Sequence, residues 1–151
     1  MKHMPLDEMI PVFASTKLRL HPKDYMIVSL PLREKEKALE YFKPLEPFSS
    51  ITVAVEEVSL ILGKEDWEAL KCKFSDYLVE GPYSTITFDI VLDLNLVGYL
   101  SVVSDVLADA GVSIYAISTY LRDHILVKSE DADKAIQALN ELIQRCKLTI
   151  K

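Results

Sequence analysis

Three clusters in the second half of this chain carry groups that could hold or move charge. Gly98 stands where an extended run gives way to helical periodicity. A glycine there lets backbone amides approach a ligand closely, and the helix N-terminus behind it favours a carboxylate; packing between elements is its other reading. Ser118 and Thr119 bring two hydroxyls to one strand end, where they also serve as ordinary strand residues. Asp123 and His124 are adjacent. Converging in a cleft with a second polar group, they could transfer protons. Apart, Asp123 is a turn former, and His124 is a turn histidine, a ligand contact or a pH sensor.

Other familiar chemistry is missing. Gly63, Gly81, Gly98 and Gly111 are scattered, so neither a phosphate-cradling loop nor a dinucleotide fingerprint is present. His3, His21 and His124 lie far apart, and none has zinc-ligand spacing to a cysteine. No serine sits in a GxSxG setting. These absences predict no metal, no cofactor and no catalysis, and favour a binding module.

The elements that must position these groups follow from periodicity. The first 14 residues lack it and read as a flexible N-terminal arm, with His3-Met4 vector-like. Lys17–Leu20 and Tyr25–Leu30 read as strands, Glu34–Phe42 as a helix, Ile51–Val55 and Val58–Leu62 as strands. Lys64–Leu70 is helical around Trp67, and Phe74–Val79 is a strand stopped by Gly81-Pro82. Then come a strand at Thr85–Leu92, an amphipathic helix at Val97–Ala110 and strands at Ser113–Thr119 and His124–Val127. A helix capped by Ser129 and a closing strand at Leu148–Ile150 complete the chain. Each half thus reads βαββαβ. The expected fold is α+β: two ferredoxin-like units, residues 15–80 and 81–151, each an antiparallel sheet with helices on one face.

Composition agrees with a folded, acidic protein. The chain has 151 residues, 50% hydrophobic and 26% charged, with a formal net charge of −6. Residues 1–75 carry a net −1 and the remainder −5, and neither half has a basic stripe. This opposes binding to nucleic acid or an anionic membrane. The longest apolar run, Val97–Leu107, is too short and too polar to span a bilayer. Two cysteines, Cys72 and Cys146, are too few for a disulfide framework, which predicts a cytoplasmic protein with reduced thiols.

The stretch from Val97 to Val127 carries a further signal. It reads Gly98, an apolar helix, Leu107-Ala108-Asp109-Ala110-Gly111-Val112-Ser113-Ile114, then Ile117-Ser118-Thr119-Tyr120 and Asp123-His124-Ile125-Leu126-Val127. It resembles an ACT domain, and more narrowly the tandem-ACT proteins of the CASTOR and aspartokinase-like group. Ordinary ACT domains place proline before the loop glycine; here Val97 stands there. The first half matches in element order and in Val58-Ser59-Leu60-Ile61.

The resemblance implies a non-catalytic regulatory module that binds an amino acid or similar small ligand at the interface between ACT units. Carried over, the loop residues are Asn95, Val97 and Gly98, whose amides would hold an α-carboxylate. Ile117, Ser118, Thr119 and Asp123 would hold an ammonium or cationic side chain. Ser59 and Leu60 are the matching strand in the other half. The alternative is a ligand-free ACT module that forms a homo-oligomer or binds a protein partner.

Overall fold

The computed structural model describes Pro5 and residues 7–150. In chain order the elements are α1 (Ile10–Ala14), β1 (Lys17–Leu20), β2 (Tyr25–Pro31), α2 (Lys35–Phe42), β3 (Ser50–Val53) and β4 (Glu57–Gly63). They continue with α3 (Lys64–Leu70), β5 (Leu78–Asp89), α4 (Tyr99–Asp109), β6 (Tyr115–Ser118), β7 (Asp123–Lys128) and α5 (Ala132–Thr149). The fold is α+β with antiparallel strand pairing throughout the registers described. Two compact units result. One holds residues 22–83; the other holds the chain up to His21 together with everything from Ser84 onward.

Residues 22–83 run strand, helix, strand, strand, helix, strand. Their sheet order is β5–β2–β4–β3, with β2 central against Leu60 and Val79 through Val28. Inward residues of β2 and β4 (Val28, Leu30, Val58, Leu60, Leu62) pack with Ala38 of α2 and Trp67 and Phe74 around α3. Period-two alternation on the strands and the aromatic of the short helix make this core.

The other unit is assembled differently from the expectation. Its sheet order is β1–β5–β7–β6, with Lys17 opposite Asp89 and Leu20 opposite Ile86. The fourth strand is therefore β1, which precedes residues 22–83 in sequence. The expected closing strand at Leu148–Ile150 does not form. Instead α5 continues to Thr149, burying Ala132, Ala135, Leu139, Leu142, Ile143 and Cys146. No proline or glycine follows Cys146, so each added residue gains a helical hydrogen bond, and the edge of β5 that a closing strand would need is taken by β1. The expected boundary at 80/81 falls inside β5, and Lys17–Leu20 groups with the later residues.

Two further expectations change. Gly81-Pro82 does not stop a strand; it lies within the 12 residues of β5. The register with β2 shifts between Tyr25 and Ile27, a bulge that accommodates a proline lacking an N–H. Gly81 has φ 152°, and a Cβ there would meet Met26 Sδ at 2.5 Å and the Tyr25 carbonyl at 3.0 Å. The N-terminal arm is also partly structured. Residues 1–4 and 6 lie outside the described residues, but α1 is helical and Met9, Ile10 and Phe13 are buried. They join a core of Ile86, Phe88, Val103, Leu107, Ile125, Val127 and Leu139. The arm was illegible because five residues are too few to show a period.

Candidate functional site

A groove of about 400 Å³ opens at one end of the unit built by β1, β5, β6 and β7. One wall is the loop from Leu92 into α4, the other is the turn joining β6 to β7, and Gly98, Tyr99, Leu100 and Ser101 line its side. Gly98 is the N-cap of α4 with φ 97° and ψ 2°. That left-handed conformation selects glycine. No side chain caps α4, so the first amides of the helix present their N–H groups at the groove.

Asp123 faces these amides from the opposite wall. Ser118 and Asp123 are paired across β6 and β7, and the Ser118 hydroxyl donates to Asp123 Oδ1 at 2.7 Å. They share the sheet side of Ile125, which packs under the helices. The residues between alternate to the other side. Ile117 is directly opposite His124 on the face away from the helices, so its side chain does not enter the groove. Asp123 and His124 leave β7 on opposite faces for the same reason and do not converge on one cleft.

The two walls are stitched together at their base. The Leu92 N–H donates to the Leu121 carbonyl at 2.9 Å. Arg122 Nε donates to Asp89 Oδ1 at 3.0 Å, and Arg19 lies 3.1 Å from Asp89 Oδ2. The Arg19 guanidinium and then that of Arg122 hold the Asp89 carboxyl below the usual carboxylate range. Beneath the groove the Tyr99 ring stacks on Phe13 at 4.3 Å, and its hydroxyl lies 2.8 Å from Thr16 Oγ1. Burial pushes the Tyr99 phenol up.

Of the residues expected to bind, the structure brings Gly98, Ser118, Thr119 and Asp123 to this groove. Asn95 lies in the loop, its N–H accepted by Asp93 Oδ1 at 2.8 Å; Val97 is 76% exposed, and neither lines the groove. Thr119 borders it, but its hydroxyl is engaged elsewhere: it donates to the Arg122 carbonyl at 2.9 Å and lies 3.3 Å from His124 Nε2. Ser59 and Leu60 belong to residues 22–83. Ser59 pairs with Ser29 and Thr52, and the Leu60 side chain is buried in that unit's own core, where it meets no solvent. Sequence reasoning pointed to Asp93 in the loop but missed Asp89, Tyr99 and Arg122. The alternation Thr85, Thr87, Asp89 on one strand was the available signal, since it marks a second, polar face.

Residues 78–141 match the ACT domain family. The ACT segment thus covers β5 through most of α5, including every residue that lines the groove. No curated protein sequence is detectably similar to the chain. Among solved structures, a Vibrio cholerae protein of unknown function, described as a possible transport protein, is 27% identical. It has a TM-score of 0.69 over 87% of this chain and 92% of its own. An Agrobacterium tumefaciens protein is 25% identical, with a TM-score of 0.70 over 85% and 89%. Fold alone is shared with Clostridium acetobutylicum aspartate kinase, an allosteric enzyme: 12% identity and a TM-score of 0.69, over 95% of this chain and 36% of that one. Around the ACT segment, the described residues contain no metal-holding group of His, Cys, Asp or Glu and no helix long and apolar enough to cross a membrane.

Proposed function

We propose that this protein is a non-catalytic regulatory protein built from two ACT-type units, which binds an amino acid in the groove beside α4. The observation that carries the reading is the pairing of opposite ligand preferences on facing walls. The uncapped amides of α4 suit a carboxylate, and the Asp123 carboxylate, held by Ser118, suits an ammonium. A free α-amino acid carries both groups. The ACT match over the same residues supports a regulatory ligand-binding role. So does the shared fold with regulatory subunits of aspartate kinase, such as that of Thermus flavus at a TM-score of 0.55. The strand–helix order of residues 22–83 supports a second unit of the same kind. Cys72 and Cys146 are free thiols, which suits a reducing compartment such as the cytoplasm.

The test is a thermal-shift screen against the twenty proteinogenic L-amino acids at millimolar concentration. Ligand at 100 times its Kd stabilises by about 2.7 kcal/mol, a shift of several degrees. One selective hit, lost in Asp123→Ala, is the expected result. A second reading rests on the exposed apolar residues of the groove, where Leu94 and Tyr120 are 66% and 76% exposed. Those residues fit a protein-interaction module. A flat screen together with concentration-dependent self-association would favour it.

A further inference from the structure

The uncapped amides of α4 and the Asp123 carboxylate suit the two charged groups that every α-amino acid shares. Selection among amino acids therefore falls to what else lines the groove. Most of the polar side chains there are already committed. The Thr119 hydroxyl donates to the Arg122 carbonyl and accepts from the Arg122 N–H. The single proton of the Ser118 hydroxyl goes to Asp123 Oδ1. Arg122 turns its guanidinium to Asp89. Asp89 alternates with Phe88 of the core, so it and the guanidinium lie on the sheet face away from the helices.

Tyr99 also lines the groove, but its hydroxyl is turned into the core. Thr16 donates its one hydroxyl proton to the Val12 carbonyl at 2.9 Å, so the Tyr99 hydroxyl, 2.8 Å away, must donate to Thr16 Oγ1. Both side chains are buried. Beyond Asp123, the remaining polar side chains are Asp93 and Ser101, and both are exposed. Asp93 Oδ1 accepts the Asn95 N–H of its own loop.

The rest of the lining is apolar: Leu92, Leu94, Leu96, Leu100, Tyr120 and Leu121. Leu92, Leu96 and Leu100 pack against the core of the unit, while Leu94, Tyr120 and Leu121 are exposed. A charged side chain brought against these residues would leave water with no buried partner to replace it, and an exposed carboxylate such as Asp93 recovers little of that cost. A hydrocarbon side chain would instead cover apolar surface that water now wets. We propose that the groove selects an amino acid with an apolar side chain, which lies against these leucines while α4 and Asp123 hold the backbone groups. This rests on the groove being an amino-acid site and adds the class of side chain.

The experiment is a thermal-shift titration of the full chain with amino acids that differ in side-chain polarity at nearly constant length. Methionine is compared with glutamine, glutamate and lysine, and leucine with asparagine and aspartate; alanine and glycine report the backbone groups alone. Methionine and leucine should stabilise most, then alanine, then glycine, each buried methylene improving the apparent Kd about fourfold. The double variant Leu94→Ser with Tyr120→Ser changes two exposed side chains. It should keep the melting temperature of the free protein and weaken methionine more than alanine. A largest shift from lysine, aspartate or glutamate, a glutamine shift equal to that of methionine, or an unchanged methionine-to-alanine ratio in the double variant would overturn the side-chain class and leave the amino-acid site standing. No shift from any of the twenty would overturn both.

Discussion

Thr87 Oγ1 lies 2.8 Å from His124 Nδ1, placing a hydroxyl between two imidazoles on the sheet face away from the helices. Burial is the first cause of a lowered His21 pKa, with Arg19 second. For His124 burial again comes first, then His21, with Asp123 opposing. A histidine with a lowered folded pKa binds fewer protons folded than unfolded, so stability is complete above the unfolded value near 6.5 and falls as pH drops through the folded pKa. Denaturant unfolding at about pH 7.5 and about pH 5.5 should show this loss, well above the range where carboxylates protonate. A double variant, His21→Gln with His124→Gln, should flatten the dependence. Equal stability of the parent at both values would count against buried neutral imidazoles.

Gly98 should not tolerate a side chain. A Cβ at Gly98 has only Met9 Cε at 3.5 Å as a neighbour, so space is not the obstacle; φ of 97° is. Gly98→Ala should cost about 1–3 kcal/mol. That corresponds to a Tm loss of about 2–4 °C per kcal/mol at this chain length. An unchanged Tm would mean that the loop relaxes without strain.

The N-terminal segment should be part of the fold. Phe13 is 1% exposed and stacked on Tyr99, at an interplanar angle of 4°. Phe13→Ala should cost about 3–5 kcal/mol. Because Tyr99 begins α4, amide exchange should also rise at residues 99–101. A truncation after residue 15 that melts at the parental temperature would contradict this.

The sheet should depend on β1 and not on the C-terminus. Arg19→Pro removes a strand N–H beside β5 and restricts the backbone, and should lower Tm by several degrees. Ile150→Asp, at a side chain 54% exposed, should stay within about 0.5 kcal/mol of the parent. Melting curves of the two variants decide it; the reverse ranking would restore a C-terminal closing strand.

Much of this was legible in the sequence for local reasons. The α4 and α5 stripes, the β4 and β7 runs and the glycine before α4 are set by periods of 3.6 and 2 and by backbone freedom, all of which act within a few residues. Gly98, Ser118 and Asp123 could be brought together on paper because a loop and a hairpin at one end of a sheet are neighbours in any βαββαβ order. The face of the Ile117 side chain was not legible, because alternation fixes which residues share a face but not which face the groove uses, and the helices decide that. The burial of the Leu60 side chain was not legible either, because its β-branched surroundings suit a site or a core equally.

The amino-acid sequence by itself determined the helices after α1, most of the strands, the acidic surface and the glycine at the mouth of α4. Only the tertiary structure decided that β1 rather than the C-terminus pairs with β5, that Phe13 lies under Tyr99, and that His21, Thr87, His124 and Thr119 join across four strands. Apart from the local His124–Thr119 contact, these relationships link residues 37 to 86 positions apart, or turn on which of two edges a strand occupies. Local propensity is blind to such pairings, and burial of the shared core selects among them.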